Sequence, residues 1–483
     1  MYRSDALFIG GEWARPSSAA TLDVVSPHTE TTVAHVAAAA PADVDAAVRA
    51  ARTAFEDGPW PRLDPADRIA AVRRLAARYD ESRAEMADSI TAELGAPVTF
   101  ARRAHVALPH SMIGAFCDLA AAHPWQEDRP GRYGRDIRVR SEPVGVVAAV
   151  VPWNMPQFLI VTKLIPALLA GCAVVLKPAP ETPLDALLLA ELVARAELPP
   201  GVVAVLPGGA DTGAHLVGHP GVDKVSFTGS TAAGRAVATA CAANLTRVAL
   251  ELGGKSAAVV LDDADPATFA AGIVSASLSN SGQLCNALTR LVLPVTRAGE
   301  FVEALAERMR ALRVGDPNDP ETQLGPLVSR RQQQRVADYL ALGQQQGARA
   351  VVGGPGLPDG VDRGWYVRPT LFAEATNTMR IAREEIFGPV LTVLTYRTED
   401  EAVALANDSD YGLAAAIWTE DAERGAALAA RLRTGTVGVN EGYTMDPMAP
   451  FGGVKASGYG RELGREGLAG FTEPKSISVA APA

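Results

Sequence analysis

Residues 251–256 read Glu-Leu-Gly-Gly-Lys-Ser, and the Gly-Lys-Ser ending matches the tail of a phosphate-binding P-loop. That loop also needs a glycine five residues before its last one, so that backbone N–H groups can close around phosphates. Ala249 stands there, and the pattern fails. What survives is a carboxylate, Glu251, just ahead of Gly253 and Gly254, a pair that permits close backbone approach. A second reactive group is Cys285, in Ser-Asn-Ser-Gly-Gln-Leu-Cys-Asn-Ala (279–287). A lone cysteine is as a rule a small buried hydrophobe. Its small and amide neighbours would instead leave the sulfur open, and a stabilised thiolate with oxyanion donors nearby is a nucleophile. Asn154, in Pro-Trp-Asn-Met-Pro (152–156), is a candidate donor, because the carboxyl end of a buried strand faces the ligand crevice of α/β proteins. The competing reading is a turn residue between two prolines. In Ser-Phe-Thr-Gly-Ser-Thr-Ala-Ala-Gly (226–234), Gly229 has no side chain to block a pyrophosphate. Ser230 and the free N–H groups of the following helix offer donors at the positive end of its dipole. An ordinary capped helix after a tight turn would read the same way.

These residues lie far apart in the chain, so a scaffold must gather them. The first 120 or so residues read as helical. Val44, Ala47, Val48, Ala51 and Phe55 fall on one helical face with Asp43 placed to cap, and a long helical pattern runs from Pro65 to Leu94, ending at Gly95. From Val144 the texture changes. Continuous apolar runs of strand length (Val-Gly-Val-Val-Ala-Ala-Val-Val, Cys-Ala-Val-Val-Leu-Lys, Val-Val-Ala-Val-Leu, Asp-Lys-Val-Ser-Phe-Thr) alternate with helical patterns, as in a parallel sheet buried on both faces. The expected fold class is α/β, with a dinucleotide-binding sheet followed after Gly253 by a second strand–helix alternation running to about Lys455.

Composition narrows the function. The chain has 483 residues, 48% of them hydrophobic, which suits two or three lobes with a sizeable core. A net charge of −10 argues against nucleic acid or an anionic membrane as partner. Four scattered cysteines (Cys117, Cys172, Cys241 and Cys285) form neither a disulfide framework nor a zinc spacing, the seven histidines form no ligand cluster, and no metal is expected. The start of the chain lacks a secretory layout. The apolar run Leu164–Leu176 spans 13 residues against the roughly 20 that a bilayer needs. A cytoplasmic protein is expected.

Taken together, Pro-Trp-Asn-Met-Pro, the Lys163–Pro183 stretch, Ser-Phe-Thr-Gly-Ser-Thr, Glu-Leu-Gly-Gly-Lys-Ser, Gly-Gln-Leu-Cys-Asn-Ala, Glu-Glu-Ile-Phe-Gly-Pro-Val and Pro-Phe-Gly-Gly-Val-Lys-Ala-Ser-Gly-Tyr-Gly stand in an order that resembles the NAD(P)-dependent aldehyde dehydrogenase superfamily. The resemblance covers essentially the whole chain. It implies a Rossmann-type cofactor domain (1–123 and 144–253), an α/β catalytic domain (254–456) and a small β oligomerisation element (124–143 and 470–483), assembled as a homodimer or homotetramer. It implies Cys285 as nucleophile, Glu251 as general base and Asn154 as oxyanion donor, with Lys163 and Glu462 relaying protons. Lys177, Gly229, Ser230, Glu385, Phe387 and Trp153 would bind the cofactor. Many NAD-preferring members carry a glutamate three residues after the ribose-binding lysine. Here Pro180 stands there, with Glu181 one place later, so NAD is expected and NADP stays possible.

By the same resemblance the small-molecule aldehyde would lie among Met155, Phe158, Leu159, Thr162, Leu284, Tyr443, Met445 and Phe451. That set is mostly apolar and holds no arginine to pair a second carboxylate, so an aliphatic, terpenoid or aromatic aldehyde is expected. Some of these residues could equally fill core. A CoA-acylating enzyme of the same fold is the nearest competing reading, and Glu251, a water-activating base, argues against it. A non-catalytic binding member would have no use for Cys285, Glu251 and Asn154 together. A serine hydrolase finds no G-x-S-x-G elbow.

Overall fold

The computed structural model describes residues 2–133, 135–442 and 445–479. Among these, the largest sheet has eight strands in the order Gly458–Tyr459, Arg247–Glu251, Lys224–Thr228, Val146–Val150, Ala173–Lys177, Val203–Val205, Leu7–Ile9 and Glu12–Ala14. The five from Arg247–Glu251 to Val203–Val205 are mutually parallel. Their apolar runs follow from burial on both faces. Chain order reverses between Val146–Val150 and Lys224–Thr228, and a crevice opens beyond the carboxyl ends of strands at such a reversal. Trp153 and Asn154 follow the first strand; Gly229 and Ser230 follow the second. The second sheet has seven strands: Arg349–Val352, Thr370–Ala373, Val390–Tyr396, Arg290–Pro294, Ala257–Val260, Ala414–Trp418 and Thr436–Val439. All of its pairings but the first are parallel.

Between the crevice and the core runs the helix Pro156–Ala170, every residue of which is buried. Gly171, left-handed at φ 98°, ends it, a conformation that glycine adopts without strain. No helix among the described residues is long and apolar enough to cross a membrane.

The N-terminal segment departs from expectation. Five strands occupy it (Tyr2–Ser4, Leu7–Ile9, Glu12–Ala14, Thr21–Val25 and Thr32–Ala37) before the first helix, Pro41–Glu56. They span three to six residues each, too few for alternation to register, and Leu7–Ile9 is held by Val203–Val205 far along the chain. The expected long helix is two, Pro65–Glu81 and Arg83–Leu94, broken at Ser82, whose N–H tightens back onto the carbonyl of Tyr79 (3.1 Å). Asp43 does serve the first helix, from its third position. Its carboxylate accepts from the N–H groups of Ala40 (2.9 Å) and Ser17 (2.8 Å).

A third, antiparallel sheet joins Gln126–Pro130, Asp136–Pro143 and Thr472–Val479. The strand Asp136–Pro143 lies in its middle. Both of its edges are used. The open edges belong to Gln126–Pro130 and Thr472–Val479, because the end of the chain returns to pair all eight residues from Thr472 opposite Pro143 to Val479 opposite Asp136.

Candidate active site

Cys285 sits in a loop of unusual backbone. Asn280 (φ 53°) and Ser281 (φ 55°) are left-handed, and Gly282 follows at φ 74°. Two consecutive non-glycine residues in that region are strained, and such strain concentrates at functional sites. The loop is pinned on several sides. Asn280 Nδ2 donates to the carbonyl of Asn154 (2.8 Å), Asn154 Nδ2 donates to the carbonyl of Gln283 (3.0 Å), and Ser281 Oγ donates to the carbonyl of Gly325 (2.7 Å). A Cβ on Gly254 would lie 2.6 Å from the carbonyl oxygen of Cys285, and one on Gly253 would lie 2.2 Å from Glu385 Oε2. The glycine pair therefore seats both the cysteine loop and Glu385, whose Oε1 accepts from the N–H of Gly254 (3.1 Å). The thiol itself is half-buried. Burial, then the carboxylates of Glu385 and Glu251, push it up to about 12.

Glu251 ends its strand beside Thr228 and Gly458. It is buried, and neither carboxyl oxygen has a hydrogen-bond partner among the described residues. Burial, and then the charge of Glu462, hold its carboxyl well above the usual carboxylate range, while Lys163 pulls it back down. Lys163 and Glu462 form a buried ion pair, and Lys163 Nζ also donates to Thr228 Oγ1 (2.6 Å). A desolvated carboxylate that nothing satisfies costs stability, so its persistence points to a proton-handling task.

Two cavities meet at Cys285. One, of about 530 Å³, lies in the crevice at the sheet's reversal and is lined by Trp153, Gly229, Ser230, Gly253, Glu385 and Phe387, among others. Trp153 and Phe387 meet edge to face at 5.3 Å. Ser230 Oγ caps the helix Thr231–Asn244 by accepting from Ala233 N (3.2 Å), so the cap and the cavity wall are the same residue. Burial first, against the pull of Arg335 and the N–H of Gly254, raises Glu385 to about 7. Lys177 lies off this wall. It is buried at the end of its strand, its Nζ donating to the carbonyl of Pro178 (2.9 Å), and burial lowers it to about 8. Arg331, Gln332 and Arg335 complete the wall, unforeseen from sequence. Gln332 Nε2 donates to the carbonyl of Phe387 (2.7 Å), and Arg335 to that of Glu385. A run of polar residues opening a helix gave no sign of this. Glu181, next to Pro180, pairs with Arg331 at 3.3 Å. Ribose hydroxyls and a pyrophosphate suit this wall: a carboxylate, a helix N-terminus, guanidinium groups and a glycine that leaves the backbone bare.

The other cavity, of about 490 Å³, is a mostly apolar tunnel. Met155, Phe158, Leu159, Leu284, Met445 and Phe451 line it. Thr162 does not. It is buried in its helix with Oγ1 bonded to the carbonyl of Leu159 (3.1 Å), one helical turn too far along to reach the tunnel. Tyr443 lies outside the described residues. Arg103 does line the tunnel, so its wall holds the arginine that was not anticipated. Asn154 and Cys285 are the two residues that line both cavities.

An α/β fold with a crevice, a thiol and an unpartnered buried carboxylate is the arrangement an enzyme uses. The model of the aldehyde dehydrogenase family matches residues 13–477. Geranial dehydrogenase of Castellaniella defragrans is 45% identical over 471 residues, covering 98% of each chain. Among solved structures, a Mycobacterium tuberculosis aldehyde dehydrogenase complexed with NAD+ superposes with a TM-score of 0.97 at 46% identity, covering 99% of both chains. Aldehyde dehydrogenase C of Pseudomonas syringae, a cysteine-to-alanine mutant complexed with NAD+ and octanal, superposes with a TM-score of 0.96 at 42% identity, covering 99% of this chain and 98% of that one. The chain belongs to the aldehyde dehydrogenase family, and it is an oxidoreductase.

Proposed function

We propose that this enzyme oxidises an aldehyde with an apolar body to the carboxylic acid, with Cys285 as nucleophile, Asn154 as oxyanion donor and Glu251 as general base. The observation that carries the reading is the position of Cys285 and Asn154 where the two cavities meet. Cys285 Sγ adds to the carbonyl carbon. The developing oxyanion is met by the Cys285 backbone N–H and by Asn154 Nδ2, whose other proton is held by the carbonyl of Gln283, so the amide is aimed before substrate arrives. NAD, present in two solved relatives, would be held in the crevice by Trp153, Gly229, Ser230, Glu385 and Phe387 and would supply the hydride acceptor. Glu251 then deprotonates the water that releases the acid from Cys285, and the Lys163–Glu462 pair passes the proton on. Hydrolysis of this kind favours acid release over transfer to CoA.

An octanal-bound relative and a geranial dehydrogenase relative support the apolar substrate. NAD is the favoured cofactor, and the usual bar to NADP is weakened, because no carboxylate occupies position 180 and Glu181 is engaged by Arg331. Nicotinamide absorbance against a panel of neutral aldehydes, with each cofactor in turn, tests both points. Activity confined to CoA-dependent thioester formation would defeat the reading.

The glycine pair provides an independent check. Gly254→Ala should move the cysteine loop, since backbone at 2.6 Å cannot yield without shifting. A displacement near 1 Å costs about 100-fold in rate. Loss of kcat/KM on that scale is expected, with stability, read from the melting curve, lowered only by the roughly 1–3 kcal/mol that overpacking costs.

The domain division and the assembly belong to the same proposal: a cofactor domain (1–123, 144–253), a catalytic domain (254–456), and strands 124–143 and 470–483 that build a homodimer or a dimer of dimers. The strand Thr472–Val479 leaves one edge open and exposes Ile477, and open edges invite pairing with another chain. Deleting residues 472–483 should give monomers or aggregates with poor activity. A fully active monomer in light scattering would count against it. The cysteines among the described residues are all free, which suits work in the reducing cytoplasm.

A further inference from the structure

The tunnel does not end at its mouth. Phe100, Arg103, Ser275 and Ser279 line it and also line a second cavity of about 740 Å³. There the wall turns polar, with Thr99, Glu321, Thr322 and Gln323. Both sides of the junction are made of π-helical turns, Ala101–Ala107 and Val274–Leu278. Such turns are rare and gather at functional sites, because the extra residue per turn re-aims the side chains that follow.

Arg103 stands at this junction. It is exposed, and its guanidinium makes no hydrogen bond or ion pair among the described residues. The neighbouring charges differ. Arg313, in the second cavity, is bridged to Asp319 (3.1 Å) and Glu321 (3.7 Å). Glu441, on the tunnel wall, already interacts with a neighbour. A guanidinium is a planar fork that matches a carboxylate with two parallel hydrogen bonds. The tunnel that Arg103 shares with the thiol is walled mostly by apolar side chains, Leu108, Met155, Phe158, Leu159, Met445 and Phe451 among them. A ligand that satisfies every part of this path has an aldehyde at one end, an apolar chain through the middle and an anion at the other.

We propose that Arg103 is a specificity-determining residue that pairs with a carboxylate at the far end of the substrate, so that long-chain ω-oxocarboxylates are preferred over neutral aldehydes of equal length. This rests on the reading of Cys285 and the tunnel given above. Short ω-oxocarboxylates are excluded by the same geometry, since their charge would be stranded among apolar side chains, where an unpaired carboxylate is costly.

The test uses the full-length enzyme and a series of ω-oxocarboxylates of increasing chain length, each beside its methyl ester. In the unaltered enzyme the acid-to-ester ratio of kcat/KM should rise with length and exceed one for the longer members. Arg103→Leu should lower that ratio by roughly twofold to fivefold, the range of a solvent-exposed ion pair, mainly through KM. Arg103→Lys should recover part of it. A ratio that stays flat with length, that survives Arg103→Leu, or that is held while acid and ester fall together would overturn the assignment. Failure of the underlying reading would show differently, as no oxidation of any ester by the unaltered enzyme.

Discussion

Replacing Cys285 with alanine is expected to abolish aldehyde oxidation, a loss on the order of 10⁴-fold or more, while NAD still binds with near-native affinity. The thiol lies where the crevice meets the tunnel, and Asn154, the other described residue that lines both, carries no nucleophile. The pinned loop around it is held by Asn154, Asn280 and Ser281 rather than by sulfur, and removing one half-buried atom should leave it in place. Calorimetric titration with NAD and a nicotinamide assay with a neutral aldehyde check the two halves separately. Appreciable turnover in the alanine variant would end the nucleophile assignment.

Glu251→Gln should fail at a later step. The substitution has two opposed effects. It removes the group proposed as the water-activating base, a loss that commonly costs about 10²- to 10⁴-fold. It also removes one of the negative charges that hold the Cys285 thiol up, so forming the thiolate becomes easier. Acylation should therefore proceed while deacylation stalls. A burst of reduced nicotinamide followed by slow turnover is expected, with an acyl adduct on Cys285 visible by mass spectrometry. In the unaltered enzyme, turnover should climb with pH as Glu251 ionises, because burial and Glu462 raise its carboxyl and the base is active only when deprotonated. The glutamine variant should lose that limb. Absence of any burst would mean that the carboxylate is needed to ionise Cys285 instead.

The parts of this site legible in the sequence were those where chemistry restricts residue type at a strand end. Asn154 and Gly229 follow apolar runs whose parallel character can be read locally, and Glu251 precedes a glycine pair that has to be small. The rest depended on tertiary placement. The left-handed turn at Asn280 and Ser281 has no local signature, because neither residue requires that conformation. Thr162 and Phe158 differ by one helical turn, and only the packing of their helix decides which one meets the tunnel. Arg103 lies in a π turn, a backbone class that periodicity does not reveal. The five short N-terminal strands exist through partners far along the chain, as does Asp136–Pro143, whose middle position was set by the returning C-terminal strand.

The helix Pro156–Ala170 has a consequence for how this enzyme could change over generations. Phe158 and Leu159 face the tunnel, Lys163 holds Glu462 and Thr228, and Gln157 donates to Asp185 (2.6 Å), so successive sides of one fully buried rod are committed to separate tasks. A side chain altered there for the sake of a new substrate would be felt by the buried Lys163–Glu462 pair and by the core at once. Leu284, Met445 and Arg103 sit outside that rod and touch the same tunnel. They are the positions where substrate range can drift while the chemistry stays fixed.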